Sequence, residues 1–600
     1  MKLGISLLTL VVIIERCSGF VPSVNRKHYK ALISTMDDSI MPCSDFYEYA
    51  CGKWPELNEA HKDDYTTAEE KANHEVNMEL TQYMDNIPMS DQPEFVQKAY
   101  SLYTSCTDNE QFNGLNYLWW FKSHKNLEWA LWPSDEGVSD GHLNWAKTLG
   151  TFRRFGMLNI FVDLRMFVDK EDPSKNVLRL TKPESFAPLT HEDIEHLNKA
   201  LDIKTTFEEK WNDLSEFEKL LQKLNDEKED DDNEIELLNS IKDQPVVDVL
   251  QRYVAASLDL PALPDSMEIS VENYHYMESL DALLRAYDDE FLCGYLEVRF
   301  LWYQYENLKY FSDEYCMATT RARMPMATHW IYGQLHPELE AQIPAINEMF
   351  INLIGHMKKS LSSDKKAIVP KSFLDKLDTI QLKVGNYPRF DTIEVLESFY
   401  ANVTLNSSDF YGNCLQLLEF HANIELSNTN NELKIDVNTY FDKADAMGSS
   451  IYPYYREADN IVVVPLALLR PPLYHWGWMD IYKYSSLGYN LLHALHMSLA
   501  YQNGFGYADS LRIADIGSLN SAYHAHFHDQ NVSASEITQF GYMQMDWKQL
   551  FFLNFAHTHC QNDISSQDYN AVNFISTQMP EFVKVFDCKL NSFLELFTHI

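Results

Sequence analysis

The sequence is short of basic residues, of glycine and of proline. Lysine and arginine number 49 against 88 aspartates and glutamates, which gives a formal net charge of −39. A chain this acidic repels phosphate backbones and anionic membrane surfaces, so nucleic acid is excluded as a partner. Only 20 glycines and 22 prolines occur in 600 residues, and no Gly- or Pro-rich linker or internal repeat divides the chain.

Long apolar runs are also lacking. The one candidate begins near the amino terminus, where Lys2 precedes the apolar stretch 3–14 and the small residues Cys17-Ser18-Gly19 follow. A transmembrane helix needs about twenty apolar residues, whereas a secretory signal has this shorter length and charged start. We therefore predict a signal peptide over residues 1–19 and a secreted, extracellular protein with no membrane span. A retained membrane anchor is the alternative.

Cysteine is scarce, with nine residues and no Cys-x-x-Cys pair of the kind that holds a metal or a redox site. Cys17 falls in the predicted signal. The other eight, an even number in an exported chain, predict disulfides: Cys43, Cys51, Cys106, Cys293, Cys316, Cys414, Cys560 and Cys588. Sequons at Asn402, Asn406 and Asn531 predict glycosylation on the same route.

Helical periodicity is what the chain has in abundance. Apolar residues recur at helical spacing in two clear faces: Leu214, Phe217, Leu220, Leu221 and Leu224, then Leu339, Ile343, Ile346, Phe350, Leu353, Ile354 and Met357. Strand patterns are sparse, and the clearest is the β-branched run at residues 461–464. The pattern predicts a mainly α fold with a small strand region towards the carboxyl end. The polar segment 428–434 is the predicted boundary between lobes.

A degenerate motif lies near the carboxyl end, where residues 491–497 read Leu-Leu-His-Ala-Leu-His-Met. A zinc-peptidase helix needs His-Glu-x-x-His, because two histidines four apart bind zinc from one helical face and the glutamate acts as general base. Here His493 holds the first position, Ala494 the glutamate position and Met497 the second histidine position. Alanine accepts no proton and a thioether binds zinc far more poorly than imidazole. The base and one ligand are therefore predicted to be lost.

Several segments together resemble the neprilysin family (M13) of zinc metalloendopeptidases. Residues 42–54 read Pro-Cys-Ser-Asp-Phe-Tyr-Glu-Tyr-Ala-Cys-Gly-Lys-Trp, which is similar to the family's amino-terminal motif. Residues 551–556 read Phe-Phe-Leu-Asn-Phe-Ala, four residues before Cys560, and residues 580–588 resemble the family's Pro-Glu-Phe and Phe-His-Cys ending. The resemblance covers nearly all of the chain after the signal, and the chain is identified as a divergent member.

The resemblance implies the fold and the disulfides. It implies a two-lobed, mainly α zincin architecture, with a neprilysin-like amino-terminal region over residues 20–430 and a zincin-like peptidase domain over residues 431–600. It also implies the pairs Cys43–Cys588, Cys51–Cys560 and Cys106–Cys316. Cys293 and Cys414 have no family partners, so a fourth bridge and two buried free thiols both stay open.

The resemblance also implies further losses at the site. The family's third zinc ligand comes from Glu-x-x-x-Asp on a later helix; here Leu511 holds the glutamate position, and Asp515 remains as a hydrogen-bond partner for His493. The substrate-binding Asn-Ala-x-Tyr reads Tyr-Pro-Tyr-Tyr at residues 452–455, so the side-chain amide and one backbone N–H are absent. The family's downstream His and Arg fall in a segment missing between Cys560 and Pro580.

Surplus histidines offer a possible rescue of metal binding. His493 and His496 are three apart, and His524 and His528 are four apart on a predicted helix. His526 lies between the latter two, and His557 with His559 precedes Cys560. Without acidic partners at fixed spacing, these histidines are interpreted as surface or core residues rather than as a metal site.

The leading hypothesis is a secreted, glycosylated pseudopeptidase without zinc, in which His493 and Asp515 are remnants of the site. Its expected partners are peptides or an active neprilysin relative. The first alternative is an active metalloendopeptidase that uses a rearranged metal site. The second is a structural secreted glycoprotein with no ligand.

Overall fold

The computed structural model describes residues 21–109, 113–125, 127, 129–130, 143–168, 176–183, 186–201, 206–227, 235–241, 244–308, 311–363, 369–427, 436–443, 448, 450–503, 505–529, 545–563 and 567–588. The predicted signal peptide and Asn531 lie outside these residues. Within them, no helix is long and apolar enough to cross a bilayer. Asn402 and Asn406 are exposed, in the segment between two helices that end at Phe399 and begin at Phe410.

Helices dominate the described chain, which confirms the predicted fold class. The first half contains α1 Pro22–Thr35, α2 Phe46–Cys51, α3 Trp54–Asn58, α4 Ala68–Asn86, α5 Glu94–Thr107, α6 Gly114–Lys125, α7 Trp145–Arg154, α8 His191–Leu201, α9 Thr206–Asp226, α10 Gln244–Ser257, α11 Tyr274–Leu284 and α12 Asp289–Leu308. The second half contains α13 Asp313–Arg323, α14 Pro325–Leu335, α15 Ile343–Ser363, α16 Lys371–Leu377, α17 Thr392–Phe399, α18 Phe410–Ser427, α19 Asp480–Lys483, α20 Tyr489–Gln502, α21 Tyr507–Asp529, α22 Trp547–His557, α23 Gln567–Gln578 and α24 Pro580–Val585.

The two predicted helical faces are largely buried. On α9, Leu214, Phe217 and Leu221 are buried and Leu224 is half-buried, but Leu220 is 39% exposed because it lies on the outer edge of the face. Leu339 is buried ahead of α15, in the 3₁₀ turn Pro337–Gln342 rather than in the helix itself.

Strands form two small sheets. β1 Asp163–Val168, β2 Asn176–Thr181, β3 Glu236–Leu237 and β4 Ile269–Val271 form a sheet in the order β1-β2-β4-β3, with β2 and β4 parallel. β5 Gln381–Val384, β6 Tyr454–Arg456 and β7 Ile461–Val464 form the other, in the order β5-β7-β6. The run at residues 461–464 is therefore the predicted strand, and it is buried along its whole length.

The second sheet contains the predicted strand at residues 461–464, and the first sheet is an additional one that the sequence does not predict. Its strands are short and carry polar residues inside them, as in the antiparallel pair Arg165 and Arg179, so they give no strong strand pattern.

The second sheet crosses the predicted boundary between the lobes. β5 precedes residue 430 yet pairs in parallel with β7, so a cut between residues 430 and 431 would separate two hydrogen-bonded strands.

The amino-terminal helix α1 is docked on the carboxyl-terminal part of the chain. Asn25 Nδ2 donates to the Gly477 carbonyl at 2.7 Å, and Asn25 Oδ1 accepts from Met479 N at 2.8 Å. His28 Nε2 lies 2.6 Å from Asn554 Oδ1, and burial lowers the pKa of His28 to about 3. A neutral histidine therefore joins α1 to α22 inside the core.

The three predicted disulfides are present. Cys43–Cys588, Cys51–Cys560 and Cys106–Cys316 close sequence separations of 545, 509 and 210 residues. Long closures of this kind contribute ~2–4 kcal/mol each by restricting the unfolded chain. The open question about the remaining cysteines is also resolved, because Cys293 and Cys414 are buried free thiols.

A cluster of charged side chains joins α4, α14 and the segment before α19. His336 Nε2 lies 2.7 Å from Glu79 Oε2, and Arg470 Nη2 contacts Glu75 and Glu79 at 2.5 and 3.4 Å. The hydrogen bond to Glu79 raises the pKa of His336 above its ordinary 6.5. Burial alone would raise the pKa of Glu79, but His336 and Arg470 together lower it below 4.5.

This cluster predicts a pH-dependent contribution to stability. A histidine whose pKa rises on folding stabilises the folded protein when the pH is below the pKa of the unfolded state, and this stabilisation is lost as the pH rises through the pKa of the folded state. A carboxylate whose pKa falls on folding stabilises the folded protein when the pH is above the pKa of the unfolded state, and this stabilisation is lost as the pH falls through the pKa of the folded state. We expect His336→Gln to lower the melting temperature most between about pH 4.5 and 6.5, and least in alkaline buffer. The control is His275→Gln, whose side chain is 98% exposed; equal pH profiles for the two variants would contradict the prediction.

Candidate functional site

The helix that carries the degenerate motif is continuous with the two elements before it. α19 passes through the π-helical turn Tyr484–Gly488 into α20. Ser485 and Ser486 hydroxyls donate to backbone carbonyls four residues earlier, at 2.8 and 2.7 Å. π turns of this kind occur frequently at functional sites because they change the direction in which the next helical face points. α20 then packs against α21.

His493 and Asp515 form the centre of the site. His493 Nε2 lies 3.0 Å from Asp515 Oδ1 across the α20–α21 contact. The Tyr489 hydroxyl donates to the same carboxylate oxygen at 2.7 Å. The His493 side chain is 24% exposed and that of Asp515 is 8% exposed. Asp515 therefore orients His493 from α21, as the resemblance implies, and leaves the imidazole accessible at the surface of the site.

The three replaced positions lie beside this pair. Met497 is one turn after His493 on α20 and Leu511 is one turn before Asp515 on α21, so each shares a helical face with its neighbour. Ala494, Met497 and Leu511 are all partly exposed. The only donor for a metal among the four family positions is the His493 imidazole. Because zinc in proteins takes three or four N, O or S ligands, this set of residues does not fit a zinc ion.

His496 does not supply the missing ligand. Its ring is buried against α21, where Nδ1 lies 3.0 Å from the Leu492 carbonyl oxygen and 3.1 Å from Ser518 Oγ. Gly517 makes room for the ring, since a Cβ there would lie 2.7 Å from it. Burial lowers the pKa of His496 to about 4. His493 and His496 therefore point in different directions, although they are only three residues apart.

The remaining histidines are dispersed. His524 Nε2 pairs with Glu581 Oε1 at 3.3 Å, and its ring centroid lies 4.8 Å from that of His528. His526 and His557 are buried, and burial lowers the pKa of each to about 4. In the described ranges, no group of three or more His, Cys, Asp or Glu side chains is arranged to hold a metal ion.

The edge strand of the second sheet borders the site. β6 pairs with β7 through Tyr454–Val463, Tyr455–Val462 and Arg456–Ile461, and it contacts α20 on its other side. Pro453, directly before β6, is buried and has no N–H to donate. The Tyr455 hydroxyl donates to Asn460 Oδ1 at 2.8 Å. β6 therefore lies next to α20, and Tyr452 and Pro453 precede it where the resemblance implies Asn and Ala.

The sequence also contains one short motif that is typical of a different class of enzyme. Residues 137–141 read Gly-Val-Ser-Asp-Gly, which has the spacing of the Gly-x-Ser-x-Gly turn of serine hydrolases. These residues lie outside the described part of the chain. Five residues at this spacing carry no assignment without the strand, the helix and the histidine that the chemistry requires.

Comparisons with known proteins point to one family. The sequence model of peptidase family M13 matches residues 42–388. Mouse neprilysin is 20% identical over 698 aligned residues, covering 94% of this chain and 90% of its own length. An endothelin-converting enzyme homolog from Locusta migratoria is 22% identical, covering 88% of this chain and 85% of its own.

Solved structures share the fold. The zinc metalloprotease Zmp1 of Mycobacterium tuberculosis, in complex with an inhibitor, superposes with a TM-score of 0.66 at 15% identity, covering 93% of this chain and 96% of that one. A Haemonchus galactose-containing glycoprotein complex gives a TM-score of 0.65 at 17% identity, covering 96% and 98%. With the family match over more than half of its length, the chain belongs to peptidase family M13.

Proposed function

We propose that this chain is a secreted, glycosylated member of family M13 that does not hydrolyse peptides and instead binds them, or binds an active relative. The observation that carries the proposal is the set of residues that α20 and α21 carry at the family's site positions. Ala494, Met497 and Leu511 stand at the positions of the base and two ligands, and His493 is held by Asp515 at 3.0 Å. One imidazole alone neither binds zinc tightly nor activates water.

Export is supported by independent features. Three disulfides join distant parts of the chain, and disulfides persist in oxidising compartments. The sequons at Asn402 and Asn406 are exposed, so both asparagines are accessible to glycosylation. These features support passage through the secretory pathway.

The competing hypothesis is an active peptidase with a rearranged metal site. Its sequence support is the surplus of histidines. Among the described residues, no contact favours it, because His496 is buried against Ser518 while His493 contacts Asp515. A structural glycoprotein without a ligand is the other alternative, and it differs in one measurable way. A peptide that binds only the native state raises the melting temperature, whereas a protein with no binding site shows no such shift.

Zinc content and cleavage test the proposal. We expect the purified protein, dialysed against zinc and then against metal-free buffer, to contain far less than one zinc per chain by mass spectrometry. We also expect no chelator-sensitive cleavage of a fluorogenic peptide library, with mouse neprilysin as the positive control. His493→Ala should change neither result. One zinc per chain, together with cleavage that both a chelator and His493→Ala abolish, would refute the proposal.

A further inference from the structure

Three histidines lie where α1 is docked on the carboxyl-terminal part of the chain. His28 is on α1, His557 is the last residue of α22, and His475 lies in the segment before α19. The ring centroid of His28 is 6.1 Å from that of His557 and 3.8 Å from that of Trp478, which lies 6.3 Å from that of His475. His28 and His557 are buried, and His475 is half-buried. We call these three residues the histidine cluster.

The contacts of the cluster suit neutral rings. Asn554 Nδ2 donates to the Tyr482 carbonyl and to Ser485 Oγ, at 3.1 and 2.8 Å. These bonds fix the amide, so its oxygen accepts from His28 Nε2 at 2.6 Å. His557 Nδ1 is buried and has no hydrogen-bond partner among the residues that the structure describes. A proton on this atom would create a buried N–H without an acceptor, which costs free energy.

Basic groups surround the cluster. Three lysines act on its members from α1, α4 and α19: Lys27, Lys71 and Lys483. Asp480 pairs with Lys483 at 3.3 Å rather than with the cluster. The aromatic neighbours of the rings are uncharged: Trp54, Trp478 and Tyr482. In the described part of the chain, none of the three rings forms an ion pair with a carboxylate, so nothing compensates an added proton.

Burial and these positive charges keep the cluster neutral. Burial and then His557 lower the pKa of His28 to about 3, and burial and then Lys71 lower the pKa of His557 to about 4. Burial also lowers the pKa of His475 below its ordinary 6.5. A histidine in water titrates at ~6.5, so the undocked form of α1 takes up protons that the docked form excludes. Docking is therefore strongest above about pH 6.5, and it weakens as the pH falls from there towards the docked pKa values.

Two disulfides limit how far α1 can move. α1 ends at Thr35, and the chain that follows is attached to the carboxyl-terminal part by Cys43–Cys588 and Cys51–Cys560. α1 can therefore undock without leaving the molecule. Its departure uncovers apolar surface on both sides of the joint, which includes the buried Leu32 on α1 and the two aromatic rings that His28 contacts, Trp478 and Tyr482.

We propose that the histidine cluster makes the docking of α1 sensitive to acid. At neutral pH, α1 is docked and the apolar surface beneath it is covered. In an acidic compartment the cluster takes up protons, α1 undocks, and the disulfides keep it attached beside the surface that it has uncovered. This property is independent of whether the chain binds zinc or peptides, so it goes beyond the proposed function.

Hydrogen–deuterium exchange of the whole chain, with its disulfides intact, tests the proposal. Exchange in peptides from α1 is measured by mass spectrometry at pH 7.4 and 5.0 and corrected for the intrinsic exchange rates. Between these two pH values, each buried histidine that titrates at ~6.5 when undocked weakens docking by about 30-fold. Undocking frees His28 and uncovers His557, so we expect the protection of α1 to fall by at least ~100-fold and to return at pH 7.4. Protection of α12, on the other side of the molecule's sequence, should fall far less.

Substitution of the rings tests whether the cluster is the cause. His28→Gln with His557→Gln keeps an amide donor at both positions but removes both titrating groups, so protection of α1 should be nearly the same at the two pH values. His557→Gln alone leaves the contact between His28 and Asn554 in place and should make the response about 30-fold smaller. This single variant decides the question if the double variant fails to dock at neutral pH.

The matched control is His329→Gln. His329 is also buried, and burial lowers its pKa to about 4, but it lies on α14; its loss should leave the response of α1 unchanged. Equal protection of α1 at the two pH values, or a response that His557→Gln keeps in full, would overturn the proposal. An equal loss of protection in α1 and α12 would overturn it too, because acid would then unfold the whole chain instead of undocking one helix.

Discussion

Zinc binding is expected to return when Ala494→Glu, Met497→His and Leu511→Glu are combined in one chain. The backbone of α20 and α21 already holds His493 and Asp515 in contact at 3.0 Å, and the three substitutions supply a second imidazole, a carboxylate ligand and a general base. Loss of an outer-shell partner alone costs about 10- to 100-fold in metal affinity, so two added ligands should raise zinc affinity by well over ~100-fold. Competition with a fluorescent chelator measures the change.

Two control variants show whether the added zinc ligands, and the carboxylate of Asp515 that orients His493, account for the regained zinc affinity. Ala494→Glu alone adds a base but no ligand at the family position, and it should bind zinc no better than the natural chain. Asp515→Asn in the triple variant should cost about 10- to 100-fold of the regained affinity, because His493 loses its orienting carboxylate. If the folded triple variant binds zinc no better than the natural chain, the two helices do not retain the zincin geometry. We expect little cleavage even with zinc bound, since each missing oxyanion donor costs ~100–1,000-fold.

Arg299→Met is expected to destabilise the protein more than any other single change proposed. The Arg299 guanidinium pairs with Glu218, and it also donates to the Tyr295 hydroxyl at 3.0 Å and to the Ala187 carbonyl at 2.8 Å. Both charged side chains are at most 7% exposed. Removing one partner of a buried pair leaves an uncompensated charge and typically costs ~3–5 kcal/mol. Thermal unfolding followed by circular dichroism measures the loss.

The double variant Arg299→Met with Glu218→Leu is the control for this effect. Replacing both partners removes the buried charge, so the double variant should be markedly more stable than Arg299→Met. Burial raises the pKa of Glu218 even with Arg299 present, and loss of Arg299 raises it further. The deficit of Arg299→Met should therefore shrink as pH falls and the carboxyl group becomes neutral. A double variant no better than the single one would show that lost contacts, rather than the buried charge, dominate.

The sequence predicts those parts of the fold that depend on a local pattern of residues or on a motif shared with the family. The β-branched run at residues 461–464 becomes β7 because four consecutive buried residues match a central strand. The three disulfide pairs are implied by the resemblance to the neprilysin family, and the structure contains all three. Cys293 and Cys414 have no partners in that family, and their state depends on whether the fold brings them together, which no local pattern records.

The directions of the side chains in the site cannot be predicted from the spacing of residues in the sequence alone. His493 and His496 are three positions apart, a spacing that allows a shared helical face. In the structure, His496 fills the space opposite Gly517 instead, so the close packing of α20 on α21 decides its direction. The first sheet is missed for a related reason. β2 pairs along its whole length with β1 and over three residues with β4, some ninety residues later, while its own sequence alternates weakly.

The docking of α1 on Gly477 and Asn554 has a consequence for how the chain is made. The partners of α1 lie about 450 to 530 residues later in the chain, so they are synthesised long after the helix itself. Cys43 and Cys51 precede Cys588 and Cys560 by 545 and 509 residues. The segment that carries α1 and the two cysteines therefore lacks these partners during most of synthesis, and the core around them closes only after the residues up to Cys588 have been made. Nascent chains stopped before residue 554 are expected to leave α1 accessible to proteases and these two cysteines reactive towards thiol reagents.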